Sequence, residues 1–249
     1  MLDEGRIHEK LIVRPWPQPA LCASASPLSE RSIVMSSELQ PHAHHVTVPS
    51  HDGQPLPTAP EPHALQLLER RRSLPLRSLV GPGPMPAELE RMLAIAARVP
   101  DHGRLVPWRF IVLEGDARTC AGDRLDALYG VQNPQRPADK EHMWRDYLLR
   151  APLTVVLVSR PDPGAKIPVL NQVLSVGAAG MNLLNAAEAM GYSALWLLKW
   201  PGRDRDAAAL LGVGAGESVA GFIHIGRPAE RVADRPRPAL AEVVTRWRP

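Results

Sequence analysis

Arg98-Val-Pro-Asp-His-Gly-Arg-Leu-Val-Pro-Trp-Arg-Phe110 joins a helix-like pattern to a strand-like one and concentrates charged groups in a single turn. Pro100 and Pro107 restrict the backbone at the two ends of the loop. Arg98, His102, Arg104 and Arg109 crowd positive and hydrogen-bonding groups between them. Upstream, Pro86 opens a segment whose Leu89, Met92, Leu93 and Ala96 recur at helical spacing. Downstream, residues 108–114 read as a strand. A second basic cluster, Arg70-Arg71-Arg72-Ser73, ends a helix-like segment over 62–71 in which Leu65 and Leu68 share a face. Guanidinium forks match phosphate oxygens bidentately, so two arginine clusters separated by one helix point to an anionic, phosphorylated ligand.

Working outward, residues 80–86 (Val-Gly-Pro-Gly-Pro-Met-Pro) form a loop, and Asp116 is positioned to cap a helix running to about Tyr129. A proline-rich turn over 134–137 precedes a helical stretch at 139–150. Leu153 to Val158 is a continuous apolar run, the mark of a strand buried on both faces. Residues 168–190 form the longest helix, apolar almost all round, which argues for a central position. Its Gly177, Ala178, Ala179 and Gly180 leave room for close approach by a second helix or a planar ligand. Strands follow at 193–199 and 219–226, with a short helix between them at 203–211 that Asp204 can cap. A last amphipathic piece covers Leu240 to Trp247. Helices and strands alternate irregularly around a central helix, so the fold class is α+β and layered, not doubly wound.

The chain has 249 residues, a formal net charge of +3 and two cysteines, Cys22 and Cys120, that match no pair motif. This usage fits a reducing compartment without a disulfide framework. With no secretory leader and no apolar run long enough for a bilayer, the expectation is a cytoplasmic protein. Residues 1–61 are rich in Pro, Ser and His and lack apolar periodicity, so they read as a disordered extension, with one folded domain over 62–249. The histidines of that extension, His8, His42, His44, His45 and His51, are too irregularly spaced for a metal site. No zinc spacing or helix-turn-helix pattern favours a nucleic-acid partner. There is also no Gly-x-Gly-x-x-Gly or Walker loop. A phosphate must therefore be held by side chains, and the arginine clusters are the groups available.

As an ordered set, Arg71-Arg72-Ser73, Arg98-Val-Pro-Asp-His102 and Pro107-Trp108-Arg-Phe resemble the short branch of the bacterial FMN-dependent nitroreductase family, over roughly residues 62 to 248. The resemblance implies a nitroreductase-like layered fold. A central mixed or antiparallel sheet would be surrounded by helices, with one central helix buried, in a homodimer with flavin at the interface. It implies FMN as cofactor, NAD(P)H as electron donor and a small organic acceptor such as a nitroaromatic or quinone. Arg71, Arg72 and Ser73 match the phosphate-binding element. Arg98 and His102 match residues that reach the partner subunit's flavin, and Arg237 in the tail matches a basic residue returning to the phosphate. Trp196-Leu197-Leu198 matches a segment whose backbone runs beside the flavin ring. The family there often has Trp, Arg and a small hydroxyl residue, so two polar side chains have become leucines. Ala186 to Gly191 matches a nicotinamide contact, against the plainer reading of a helix end packed in the core.

No side-chain acid or base is required by such chemistry, so no classical catalytic residue is assigned. Asp101 reads as a turn or capping residue, and Trp108 as a core aromatic. Two alternatives stand beside the oxidoreductase. One is a related reductive dehalogenase with a substrate lid at 130–145, near Tyr129, Trp144 and Tyr147. The other is a non-catalytic flavin- or anion-binding module, favoured by the leucines at 197 and 198.

Overall fold

The computed structural model describes residues 59–230 and 232–249; the extension expected over 1–61 lies outside the described residues except for its last three. The first helix, α1, is Pro62–Arg70, and its proline at the start suits a position with no intrahelical N–H bond to make. A short strand β1 (Leu79–Val80) precedes α2 (Pro86–Ala96), which buries Leu89, Met92 and Ala96 of the predicted stripe and leaves its fourth member, Leu93, half-buried. Strand β2 is Trp108–Glu114. Helix α3 runs Asp116–Gln132; its cap is Gly115, and Asp116 is the first helical residue, one position later than expected. After a 3-10 turn at Ala138–Lys140 come α4 (Met143–Leu149) and β3 (Leu153–Ser159). Helix α5 is Val169–Ala189, followed by β4 (Ser193–Leu197). The region at 203–211 divides into α6 (Trp200–Arg203) and α7 (Arg205–Leu210), and Asp204 caps α7 by accepting from the Ala207 N–H at 2.9 Å. Strand β5 (Ser218–Pro228) and a single exposed turn α8 (Leu240–Val243) complete the described chain.

All pairings in the sheet are antiparallel, so of the mixed or antiparallel alternatives the second is found. β2 pairs β3, β3 pairs β5, and β5 pairs β4 and β1 in succession along its far edge. Every residue of β3 is buried. The side-chain period of two explains this: Leu153, Val155 and Leu157 face α2 and α5, while Val156 and Val158 face the layer built from α3, α4 and α7. The result is three layers with the sheet between two helical ones; β3 is apolar on both faces except for Thr154, which is buried and hydrogen-bonded to His224 Nδ1 at 2.9 Å.

Helix α5 is buried on one face only. Its inner face packs Val176, Ala179, Leu183 and Ala187 against the sheet. Its other face leaves Leu170 67% and Leu174 64% exposed, in one stripe with Val173 and Met181. The two glycines differ as well. A Cβ at Gly180 would lie 2.4 Å from the Trp196 ring, whereas one at Gly177 would meet nothing within 4 Å. What approaches α5 at Gly180 is an indole from β4, not a helix or a ligand. The apolar pair of α1, Leu65 and Leu68, is also exposed.

Candidate functional site

Arg71 follows the last residue of α1 and begins a short extended segment anchored by Leu74, which is buried with Leu79 and Ala151. The C-terminal tail returns to this segment across 161 and 166 residues of chain. Arg72 Nη1 donates to the Ala233 carbonyl, and Arg237 Nη2 donates to the Arg71 carbonyl at 3.4 Å and pairs with Asp234 at 3.0 Å. Arg71, Arg72, half-buried Ser73 and Arg237 are thus gathered in one place. Arg235 is exposed and uses its backbone N–H on the Asp234 carboxylate.

Two carboxylates that the sequence reading did not single out share this cluster. The N–H of Arg235, with Arg237 and Arg72 beside it, holds Asp234 below the usual carboxylate range. Burial pushes the Glu188 carboxyl of α5 upward, opposed by the charge of Arg71 and a hydrogen bond from Ser193. Arg71 Nη1 is buried and has no hydrogen-bond partner. A buried guanidinium nitrogen without an acceptor is costly, and a phosphate oxygen is an acceptor of the right kind.

A cleft of about 280 Å³ opens beyond this segment, where α4 meets the end of β4. Leu76, Met143 and Leu197 line it, together with Trp144 and Tyr147. Two cations complete the lining, Arg150 at the end of α4 and Lys199 just past β4. Leu76 is three residues from Ser73, a chain distance of at most about 11 Å, so the arginine cluster and the cleft can serve two ends of one ligand. Behind the cleft, Tyr147 stands edge-on to His224, with ring centroids 4.7 Å apart. Trp144 stacks on Trp200 at 5.1 Å. The Trp144 Nε1, Tyr147 hydroxyl and His224 Nε2 are all buried without hydrogen-bond partners. Burial raises the ionisation of the Tyr147 hydroxyl and drives that of His224 down to about 3, so both are neutral.

Trp196, Leu197 and Leu198 have separate surroundings. The Trp196 indole lies in the core beside Gly180 and Gly221 and donates to the Ala220 carbonyl at 3.1 Å. Leu197 lines the cleft, and Leu198 is partly exposed over Gly202. Ala186 and Ala187 are buried in the main core, Ala189 is exposed, and Gly191 ends the helix with φ +77°. The 130–145 segment ends on the cleft, which Met143 and Trp144 line.

The 98–110 loop is a tight construction. The Asp101 carboxylate accepts from the N–H groups of Leu105 (3.1 Å) and Val106 (2.8 Å). This is the capping role expected of it. Gly103, Arg104 and Val106 all have positive φ, a conformation rare for a β-branched residue and usually found where the surroundings enforce it. Trp108 packs on the core and donates to Ser175 at 3.2 Å. Arg98 and His102 are exposed. Ser175 of α5 donates to the Pro100 carbonyl, and Asn182, further along, holds the Arg98 carbonyl. Ser175 and Glu188 are about 20 Å apart along the helix. The His102 end of the loop is therefore distant from the Arg71 cluster along α5, whereas Arg98, held at Asn182, is about 9 Å from Glu188 along the helix.

The fold and these features define a layered α+β protein with a guanidinium cluster beside an apolar, cation-flanked cleft. The chain belongs to the nitroreductase family, whose model matches residues 68–227. It is 30% identical over 166 residues to the Escherichia coli K12 protein named "Putative NAD(P)H nitroreductase YdjA", covering 66% of this chain and 88% of that one. It is 36% identical over 141 residues to a Haemophilus influenzae protein named "Putative NAD(P)H nitroreductase", covering 55% and 73%. In fold it is similar to a nitroreductase-like family protein from Bacillus cereus, with a TM-score of 0.64 at 19% identity over 77% of this chain and 98% of that one. It is also similar to the FMN and NADPH-dependent nitroreductase NfnB of a sphigopyxis strain, with a TM-score of 0.57 at 21% identity over 74% and 98%. The chain is thus an oxidoreductase of the nitroreductase family. Among the described residues no helix is long and apolar enough to cross a membrane.

Proposed function

We propose that this protein is a cytoplasmic, homodimeric FMN-dependent enzyme that takes hydride from NADH or NADPH and passes two electrons to a small organic acceptor such as a nitroaromatic or quinone. FMN, when bound, supplies the redox chemistry, and the protein supplies binding and electrostatics. Arg71, Arg72 and Arg237 hold the phosphate by charged hydrogen bonds, with Ser73 beside them. The orphaned Arg71 nitrogen and the apolar cleft one short segment away fit the two ends of that molecule. The backbone of Trp196–Leu198 would flank the ring, as the resemblance implies.

The observation that carries the dimer is the exposed apolar stripe of Leu170, Val173, Leu174 and Met181 on α5. A two-fold axis near Leu174 and Gly177 covers the stripe with its own copy. In that dimer, as the resemblance implies, the partner subunit's 98–104 loop reaches across the interface. Arg98 and His102 then complete a site on the neighbouring subunit.

The test is the visible absorption spectrum of purified, FMN-supplemented protein before and after anaerobic NADPH and, separately, NADH. A bound-flavin spectrum that bleaches with either donor supports the reading. Flavin that binds but does not bleach favours a binding module, the reading to which the leucines at 197 and 198 lean. Protein that takes up no FMN defeats the proposal.

A further inference from the structure

Arg71 Nη1 is not the only buried polar atom without a hydrogen-bond partner at the phosphate end. Asn185 Oδ1 and Glu188 Oε1, both on α5, share that condition. The two residues are three apart in sequence and so are neighbours on one helix face. Ser193, at the start of β4, hydrogen-bonds the Glu188 carboxyl. An ionised Glu188 is an acceptor only, as is the Asn185 oxygen, so Arg71 holds the one unspent donor of the three. A protonated Glu188 is itself a donor, with the Asn185 oxygen as its acceptor, and Arg71 is then released. The cluster has two self-consistent arrangements that differ by one proton and by whether Arg71 is engaged.

The other charges on the elements around Glu188 are exposed or committed. Helix α1 turns His63, Glu69 and Arg70 to solvent. On α2, Arg91 is exposed, Glu90 is half-buried, and Glu88 accepts from the Tyr192 hydroxyl at 2.7 Å. Arg227 of β5 donates to the Gly191 carbonyl at 3.1 Å and to Tyr192. His224 of β5 stands against Tyr147 in the other layer. Arg109 of β2 pairs with Glu217, and Asp234 of the tail with Arg237. Arg98 is exposed. The charge that acts on Glu188 is that of Arg71.

We propose that Glu188 is a positioning residue of the phosphate end: resting on the flavin reading above, it shares Arg71 with the phosphate and takes up a proton from solvent as the phosphate binds. Without phosphate, the carboxylate balances the charge of Arg71. A phosphate oxygen on Arg71 Nη1 removes that partner and brings a second negative charge beside the carboxylate. Two like charges around one guanidinium favour protonation of the one whose ionisation burial already opposes. One O–H bond forms at Glu188, its proton comes from solvent, and the guanidinium keeps its charge throughout. A group that gains a proton on binding makes binding tighter at lower pH. Glu188 therefore weakens FMN binding where it is ionised and ceases to do so where it is protonated.

The experiment uses the full-length chain, Glu188→Gln, and Glu69→Gln as the control on exposed α1 surface. FMN, and riboflavin, which lacks the phosphate, are titrated by fluorescence between pH 5 and 8. Ionisation of the FMN phosphate is common to all three proteins and cancels in their ratios. At pH 8 Glu188→Gln is expected to bind FMN about tenfold more tightly than wild type, the equivalent of one pKa unit of interaction, with the ratio falling toward one at pH 5. Riboflavin affinity should be the same in both proteins, and Glu69→Gln should match wild type. Wild type alone gives an independent readout: at neutral pH its infrared difference spectrum should gain a protonated-carboxyl band with FMN that riboflavin does not produce. Equal FMN affinity of wild type and Glu188→Gln at every pH overturns the proposal, as does weaker binding by Glu188→Gln at pH 8. The same ratio with riboflavin, the same gain in Glu69→Gln, or no such infrared band also overturns it. In those cases FMN still binds and the flavin reading stands; wild type that binds neither FMN nor riboflavin refutes that reading and this inference with it.

Discussion

Gly180→Ala sets two physical effects against each other. Helix propensity alone favours alanine over glycine inside α5 by about 1 kcal/mol. Packing opposes it: the new Cβ would lie 2.4 and 2.5 Å from two carbons of the Trp196 ring and 2.9 Å from Leu157 Cδ2. Carbon atoms prefer roughly 3.5 to 4.0 Å, so the ring must retreat by about 1 Å. It has little freedom to do so. Trp196 is paired to Ile223 in the sheet, its Nε1 is tied to Ala220, and a Cβ on Gly221 would meet the same indole nitrogen from the other side. Overpacking costs about 1–3 kcal/mol, and a displaced indole hydrogen bond adds about 1 kcal/mol. The net expectation is destabilisation by about 1–3 kcal/mol. Urea unfolding measures it as a lower midpoint at unchanged slope. Trp196→Phe in the same chain should recover part of the loss, which a double-mutant cycle registers as coupling. Gly177→Ala is the control: with open space around it, propensity alone acts on the fold. A Gly180→Ala protein as stable as wild type, or more so, would refute the packing argument.

Further expectations concern the site and its supports. Arg72→Ala should weaken FMN binding by about 1.5–3 kcal/mol, the worth of a charged hydrogen bond, or roughly 10- to 150-fold by fluorescence titration; unchanged affinity removes the phosphate assignment. Leu174→Glu puts a charge in the exposed α5 stripe, and sedimentation velocity should show a shift from dimer to monomer at equal concentration. His224 is neutral in the fold, its ionisation lowered to about 3 by burial, against an unfolded value near 6.5. The unfolded chain therefore binds the extra proton first, and the stabilisation present above about pH 6.5 is lost as pH falls toward 3. Between pH 7 and 5 this amounts to about 2 kcal/mol. In His224→Gln that component of the pH dependence of unfolding should vanish. Asp101→Ala leaves two loop N–H groups without their acceptor and should cost about 1–3 kcal/mol. Asp101→Asn, which keeps an acceptor oxygen, should cost less in the same denaturation assay.

Much of the architecture was legible because it depends on local periodicity. The buried β3 run, the α2 stripe, the Asp204 cap and the left-handed Gly191 stop each depend on a few adjacent residues and a fixed period. The expectation for α5 went further than its pattern allows. An apolar circumference does not say which face meets the sheet, and Leu170 and Leu174 stay exposed on the other. Glycine spacing likewise marked a close approach at Gly180 without revealing that the approaching group is Trp196.

The sequence by itself determined the layered α+β class, the order of its elements and the candidate phosphate arginines, since the Arg71-Arg72-Ser73 and Arg98-to-Phe110 motifs are local in the chain. Only the tertiary structure decided which of these residues meet. It brought Arg237 back to Arg71 across 166 residues. It drew Glu188 and Asp234 into the same cluster, and it joined Leu76, Arg150, Leu197 and Lys199 around one cleft. It also set the His102 end of the loop apart from that cluster along α5. The physical reason is that such meetings depend on how sheet and helices pack in three dimensions. Two segments far apart in the chain acquire a fixed distance only when the common core between them has formed.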